Sequence, residues 1–195
     1  MIREDQKKIL WVNIIYIFAY GLFYISMKNY EFIIYLGVVL FFLGAILYSN
    51  EKVKFSNTVL WGLTVWGFMH LSGGAIPIGD GRLYELMIIP LSSVYPIFRF
   101  DQLVHMVGFG VATLVMYELL QPLLKEDKAW VRIGIIIVMA GLGAGALNEI
   151  IEFLAVVIVP ETGVGGYINT SLDLVANLIG ALIAFFVIKF RYKER

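Results

Sequence analysis

The sequence contains no cysteine and few charged residues. None of its 195 residues is a cysteine, which excludes disulfide bonds, thiolate nucleophiles and zinc sites with cysteine ligands. Only 15% of the residues are charged, and 15 Lys and Arg residues balance 15 Asp and Glu residues. Because the formal net charge is zero, the composition gives no support to a nucleic-acid or polyanion binder.

Most of the chain is apolar. Aliphatic, aromatic and sulfur-containing residues make up 60% of it. A soluble domain is about half apolar and about one quarter charged, and one small core cannot bury a larger apolar fraction. The composition therefore predicts an integral membrane protein whose surroundings are a lipid bilayer.

Six apolar stretches are long enough to cross a bilayer as helices. A spanning helix needs about 20 apolar residues, because each residue adds about 1.5 Å and the hydrocarbon is about 30 Å thick. The predicted spans are residues 9–27, 32–48, 58–76, 102–120, 133–159 and 171–190. No repeat or linker divides them. The sequence therefore predicts an all-α, six-helix transmembrane bundle that forms a single domain over residues 1–195.

The connections between these helices alternate in their content of Lys and Arg. One set, which includes both termini, holds 12 of these residues: Arg3, Lys7, Lys8, Lys52, Lys54, Lys125, Lys128, Arg132, Lys189, Arg191, Lys193 and Arg195. The other set holds Lys28, Arg82 and Arg99. Because cytoplasmic segments collect Lys and Arg, we predict that both termini are cytoplasmic.

The connection over residues 77–100 is unusual. The polar sequence GDGRLYE is followed by the apolar run LMIIPLSSVYPIF, which is too short to span and is interrupted by Pro90 and Pro96. Such a run is typical of a re-entrant or interfacial segment, here on the outer side. An ordinary outer loop with an amphipathic turn fits the sequence equally well.

Polar residues within the predicted helices are concentrated at one depth. Ionisable side chains are costly in hydrocarbon and usually face a bundle interior or a wet cavity. The predicted helix directions place all of these residues in the outer half of the membrane: His70, Asp101, His105, Asn148, Glu149, Glu152, Asp173 and Asn177. We therefore expect one outward-facing polar site.

Small residues continue the faces that carry these polar groups. Residues at i, i+4, i+7 and i+11 share a helical face, and small residues let membrane helices approach closely. The faces are Asp101, His105, Gly108 and Ala112 in the fourth helix, Asp173, Asn177, Gly180 and Ala184 in the sixth, and Gly141 and Gly145 before Glu149 in the fifth. Taken singly, Asp101 and Asp173 are also compatible with interfacial N-caps, and each histidine with a satisfied buried imidazole.

The residue types suggest a divalent metal ion. Two histidines with several carboxylates and no sulfur match a hard or borderline cation held by nitrogen and oxygen. The predicted ligands are His70, Asp101, His105, Glu149, Glu152 and Asp173, accompanied by Asn177, with Glu149 and His105 as the catalytic acid and base. The same residues can instead form a proton relay, because neighbouring carboxylates do not easily hold two charges.

Arg82 and Arg99 are the only guanidinium groups predicted on the outer side. Three roles are open for them. They can pair with the carboxylates, hold an anionic headgroup or phosphate, or anchor the chain at the interface.

The order of several short motifs resembles a known family. HLSGG, FDQLVHMVGFG, LNEIIEF and NTSLDLVANLIGALIAF occur in that order between residues 70 and 186. This order resembles the YjdF-like family of uncharacterised prokaryotic inner-membrane proteins. It is more distantly similar to VanZ-like proteins, whose D-x3-H, E-x2-E/Q and D-x3-N elements have the same order. The resemblance implies a multi-pass protein of the prokaryotic inner membrane, with Asp101, His105, Glu149, Glu152, Asp173 and Asn177 at the family-pattern positions.

Three classes of function are compatible with these features. The first is an enzyme that acts on an envelope lipid or a lipid-linked substrate through the outer polar site. The second is a small ion- or proton-coupled transporter, although the chain shows no inverted repeat. The third is a structural or partner-binding membrane protein whose polar groups only pair helices.

Overall fold

The computed structural model describes residues 2–124, 129–159 and 162–193. Of the cationic residues counted above, Lys125, Lys128 and Arg195 lie outside the described residues. The described chain forms six long helices: α1 (Glu4–Ser26), α2 (Tyr30–Val53), α3 (Asn57–Ala75), α4 (Phe100–Leu120), α5 (Trp130–Ile158) and α6 (Tyr167–Lys193). The predicted all-α membrane bundle of six helices is confirmed.

Several helices extend beyond the apolar stretches that predicted them. The first begins at Glu4 instead of residue 9, the second ends at Val53 instead of 48, and the sixth begins at Tyr167 instead of 171. In α1 and α2 backbone hydrogen bonding continues into the polar flanks because Glu, Gln and Lys are good helix formers. Side-chain caps set two other boundaries, since Asn29 accepts from the Phe32 N–H and Ser56 from the Val59 N–H.

Five of the six described helices are long and apolar enough to cross a membrane, and α3 is the exception. Nevertheless α3 runs parallel to α1 over most of its length. Asn13 Nδ2 donates to Thr64 Oγ1 at 2.7 Å, and the Tyr20 and Ser72 hydroxyls lie 2.6 Å apart further along both helices. Because these two contacts follow each other in the same order along both helices, α3 covers the same depth as α1. The buried Thr64 and Ser72 side chains face α1 instead of lipid.

The closest helix crossing joins α4 to α6. A Cβ atom on Gly180 would overlap the Met106 carbonyl, and one on Gly110 would lie 3.1 Å from the Gly180 carbonyl oxygen. Small residues therefore allow this approach, as the sequence predicted. The residue of α4 that faces Gly180 is Gly110, whereas Gly108 packs beneath Trp66 of α3. The contact face differs from the predicted one because α6 lies over Met106 and Gly110, about 150° around the helix from the predicted face.

Helix α5 packs against both α4 and α6 through two of its glycines. A Cβ atom on Gly141 would overlap the Thr113 hydroxyl of α4, and one on Gly145 would overlap the Asn177 amide of α6. This agrees with the predicted small-residue stripe leading to Glu149. The stripe brings α5 close enough for its carboxylates to meet residues of the other two helices.

Helices α1, α3 and α5 end, and α2, α4 and α6 begin, at one end of the bundle, which we term the site end. There the α3–α4 connection forms a hairpin of β1 (Pro77–Ile78) and β2 (Gly81–Arg82), then a 3-10 turn at Leu83–Glu85. An antiparallel bridge joins Met87 to Arg99. After the 3-10 turn the segment is irregular, because its two prolines interrupt helical hydrogen bonding. Its re-entrant or interfacial position in the membrane stays a prediction.

Candidate functional site

The structure brings six of the predicted site residues together at the site end. They come from three helices: Asp101 and His105 from α4, Glu149 and Glu152 from α5, and Asp173 and Asn177 from α6. The parallel crossing of α4 and α6 sets their first turns side by side. The antiparallel helix α5 brings the residues near its far end to the same level.

His105 lies at the centre of this cluster. Its Nε2 atom is 3.7 Å from Asp101 Oδ1, and its Nδ1 atom is 3.6 Å from Glu149 Oε1. Nδ1 also lies 3.0 Å from Asn177 Oδ1. The buried imidazole therefore has a carboxylate near each ring nitrogen and an amide oxygen beside one of them.

Neutral amides hold the two aspartates. Asn169 Nδ2 donates to Asp101 Oδ2 at 3.1 Å and to Asp173 Oδ2 at 2.6 Å. Gln102 Nε2 donates to Asp173 Oδ1 at 3.4 Å, while its Oε1 accepts from the Arg99 N–H. Neither aspartate is an N-cap, because α4 begins at Phe100 and Asp173 lies inside α6. The fully buried Asp173 is thus positioned by amides and not by a cation.

Negative charge in the cluster exceeds positive charge. In the described part of the chain, no Lys or Arg forms an ion pair with Asp101, Glu149, Glu152 or Asp173. Glu152 accepts from Asn148 at 2.7 Å, but the buried Glu149 Oε1 has no hydrogen-bond partner. An uncompensated buried carboxylate costs several kcal/mol, so the cluster requires either protons or a cation.

Two groups within the cluster have spacing suited to a metal ion. In each group three ligand atoms lie within 4.8 Å of one another. One group is Asp101, His105 and Asp173, and the other is His105, Glu149 and Glu152. His105 belongs to both, so the choice between them depends on which ring nitrogen is free.

His70 belongs to neither group. Its Nδ1 atom lies 2.7 Å from the Tyr84 hydroxyl, which also donates to the His70 carbonyl oxygen at 2.7 Å. Its ring stacks on Trp66 with centroids 5.5 Å apart. Burial, and to a smaller extent the nearby Asp101 carboxylate, raises the pKa of Tyr84, so this phenol is a neutral donor. A metal-ligand role for His70 stays a prediction.

The two arginines have different surroundings. Arg82 Nη1 lies 3.6 Å from Glu31 Oε2, and that carboxylate oxygen also accepts from the Gly163 N–H at 2.8 Å. The Arg99 Nε atom is buried without a hydrogen-bond partner. Arg82 is therefore a counter-ion for a carboxylate outside the predicted set, and Arg99 has a donor available.

Sequence reasoning missed Gln102, Asn169 and Glu31. Asn169 lies four residues before Asp173 on the same helical face, but the predicted helix began at residue 171. Glu31 likewise lies one residue before the predicted second helix. Extending the helices into their polar flanks would have included both residues.

A polar pocket of about 170 Å³ gives access to the cluster from the site end. Its lining includes Asp101 and Glu152 from the cluster, together with Glu31, Arg82, Tyr84 and Arg99. The pocket therefore places carboxylates, guanidinium groups and a phenol around one space.

The profile of a family described as "Predicted membrane protein (DUF2238)" matches residues 8–195. The chain belongs to this family. The expected membership of the YjdF-like family is thereby confirmed, because the two names denote one family. No curated protein and no solved structure matches the chain. Membership of this family shows that the protein is a membrane protein and does not indicate its chemistry.

Proposed function

We propose that the chain binds a divalent cation between Asp101, His105 and Asp173 and uses it to act on a lipid or lipid-linked substrate of the cell envelope. The observation that supports this most directly is the unbalanced charge of four clustered carboxylates beside one imidazole. Oxygen and nitrogen ligands of this kind suit Mg²⁺, Mn²⁺ or Zn²⁺.

The contact between His105 and Asn177 favours the group with the two aspartates. In a neutral imidazole one nitrogen donates and the other accepts. Asn177 Oδ1 is an acceptor 3.0 Å from Nδ1, so Nδ1 carries the proton and the Nε2 lone pair faces Asp101. Metal-bound histidines commonly donate their other N–H to an oxygen acceptor in this way.

Glu149 is well placed for proton transfer beside this cation site. Its Oε1 atom is buried, lacks a hydrogen bond and lies 3.6 Å from the His105 ring. In the hydrolysis we propose, Glu149 would accept a proton from a water whose oxygen attacks the acyl or phosphoryl centre, and would return that proton to the leaving oxygen as its bond to the centre breaks. A cation held by Asp101, His105 and Asp173 would lower the pKa of that water.

We further propose that the site end faces outward from a prokaryotic inner membrane. Among the described residues, nine Lys and Arg residues lie in or beside the connections and termini at the opposite end of the bundle and three lie at the site end, and such residues collect on the cytoplasmic side. The pocket would then open at the outer leaflet, where an envelope lipid can enter from the bilayer.

Melting with and without a chelator tests the cation. A ligand at about 100 times its Kd adds about 2.7 kcal/mol of stability, which corresponds to about 5–10 °C in Tm for a chain of this size. We expect EDTA to lower the Tm of the detergent-purified protein by that amount and Mg²⁺, Mn²⁺ or Zn²⁺ to restore it. The Asp173→Asn variant should lose the response.

Glu85→Gln is the matched control, because Glu85 lines the pocket but belongs to neither ligand group. It should keep the wild-type response to EDTA. An unchanged wild-type Tm in EDTA and after each metal is added would contradict the proposal. The carboxylates would then form a protonated network, as a proton-coupled transporter or a purely structural protein requires.

A further inference from the structure

An apolar cavity of about 390 Å³ lies inside the bundle, beneath the polar pocket. This volume falls within the range of about 300–1,000 Å³ typical of small-molecule sites. Four helices line the cavity, with side chains that include Val38 and Phe42 of α2, Leu63 of α3, Phe109 of α4 and Leu147 of α5. Ile46 lies 11 positions after Tyr35 in α2, which is about 16 Å at about 1.5 Å per residue, so the cavity is elongated along the bundle.

The cavity lies where two parts of the bundle meet. Helix α2 packs against α1 and α3, whereas α5 packs against α4 and α6. The cavity lies between α2 and α5. Gly143 of α5 lines it, and a Cβ atom added there would meet no other atom within 4 Å. An apolar cavity between two spanning helices lies beside lipid chains and not beside water.

The apolar cavity and the polar pocket share two lining residues, Tyr35 and His70. The Tyr35 side chain is only 6% exposed, and its hydroxyl is buried without a hydrogen-bond partner. The Nε atom of Arg99, in the polar pocket, also lacks one. A buried donor without an acceptor is costly, so both groups indicate a ligand that supplies oxygen acceptors.

We infer that the site binds a lipid with a phosphate-bearing headgroup, its apolar chain in the cavity between α2 and α5 and its phosphate in the polar pocket. The apolar chain of the lipid fits an elongated apolar space, and the phosphate supplies hydrogen-bond acceptors to Arg99 and Tyr35. This inference rests on the proposed function in one respect. The proposed cation would lie between the phosphate and the carboxylates of the polar pocket and would reduce the repulsion between them. Both a phospholipid and an isoprenoid phosphate have this chemistry.

Native mass spectrometry of the full chain in detergent measures this binding directly. The probes are phosphatidic acid, farnesyl phosphate and, without phosphate, diacylglycerol. We expect at least one phosphate-bearing probe to bind about tenfold or more tightly than diacylglycerol, because only the phosphate supplies charged acceptors to Arg99 and Tyr35. Which of the two binds identifies the source of the phosphate. Equal binding of all three probes would overturn the inference.

Two variants distinguish the contribution of the lipid's apolar chain to binding from that of its phosphate headgroup. Gly143→Leu places a side chain in the cavity and should weaken the binding of every probe about tenfold, because the apolar part of each probe loses space there. Gly44→Leu is the matched control, because Gly44 also has no atom within 4 Å of an added Cβ but does not line the cavity. Arg99→Gln should remove the preference for phosphate and leave diacylglycerol binding unchanged.

The outcomes distinguish this inference from the proposed function. If Gly143→Leu binds the probes as tightly as the wild type and keeps the response to EDTA, the lipid site is overturned and the cation site is retained. In the opposite case, EDTA leaves the Tm of the wild type unchanged, yet the wild type binds phosphate-bearing probes and Gly143→Leu weakens that binding. This result would support the lipid site and contradict the cation site.

Discussion

Nδ1 of His105 and Oδ1 of Asn177 lie 3.0 Å apart and join α4 to α6 inside the carboxylate cluster. The contact orients the imidazole so that Nε2 faces Asp101. Asn177 is fully buried and packs against Gly145 of α5. The Asn177 amide therefore packs at the contact between α5 and α6 and also orients the imidazole of the site.

Removing this amide should weaken cation binding without removing a ligand. Loss of a partner that orients a metal-bound histidine typically costs about 10–100-fold in metal affinity. We expect Asn177→Ala to lower the affinity for Mn²⁺ or Zn²⁺ by that factor in isothermal titration calorimetry. Asn50→Ala is the control, because Asn50 is also a buried asparagine but bonds to Gln6 at the opposite end. Equal affinities for the two variants would show that Asn177 does not position His105.

The α4–α6 crossing should tolerate no side chain at Gly180. An added methyl group would overlap the Met106 carbonyl, and overpacking of this kind typically costs about 1–3 kcal/mol. We expect Gly180→Ala to lower the Tm by several degrees in a detergent melting assay, about 2–4 °C for each kcal/mol. Gly44→Ala, which meets no atom, should not lower it. Similar Tm values for the two variants would contradict the close crossing.

Glu31 should stabilise the segment after α5. This buried carboxylate accepts from the Gly163 N–H and pairs with Arg82. In Glu31→Ala the amide loses its acceptor, so we expect faster hydrogen exchange in a peptide over residues 162–166. The exposed Glu85 provides a control, and Glu85→Ala should exchange there like the wild type. Unchanged exchange in Glu31→Ala would exclude this role.

The sequence predicted the helices and most of the cluster for a simple physical reason. Apolar length determines which segments cross a bilayer, and the depth of a polar residue follows from its position in a helix whose direction is known. The convergence of Asp101, His105, Glu149 and Asp173 was therefore accessible from spacing. The surroundings of His70 could not be predicted in this way, because its partner Tyr84 lies in the α3–α4 connection, where the sequence has no helical periodicity.

Contacts across helices were less predictable. The rotation of α4 decides whether Gly108 or Gly110 meets α6, and a stripe of small residues does not specify it. The pairing of Glu31 with Arg82 joins a helix start to a short hairpin, and nothing in the spacing of these residues indicates the contact. Such pairs depend on loop geometry that only the folded chain provides.

The orientation of the bundle can be tested by reporter fusions. Reporters placed after Leu124 and after Arg195 should be cytoplasmic, and one within residues 162–167 should be external, because Lys and Arg collect on the cytoplasmic side. Fluorescent and phosphatase reporters give opposite signals at each position and control for expression. A cytoplasmic signal within residues 162–167 would contradict the outward-facing site.

The most direct test of the central claim is the metal content of the purified full chain, measured by inductively coupled plasma mass spectrometry. We predict about one divalent ion per wild-type chain after dialysis against Mg²⁺, Mn²⁺ or Zn²⁺, as expected for a single site with three protein ligands. The double variant Asp101→Asn, Asp173→Asn should hold almost none, and Glu85→Gln should match the wild type. A wild-type chain that holds no more metal than the double variant would contradict the account.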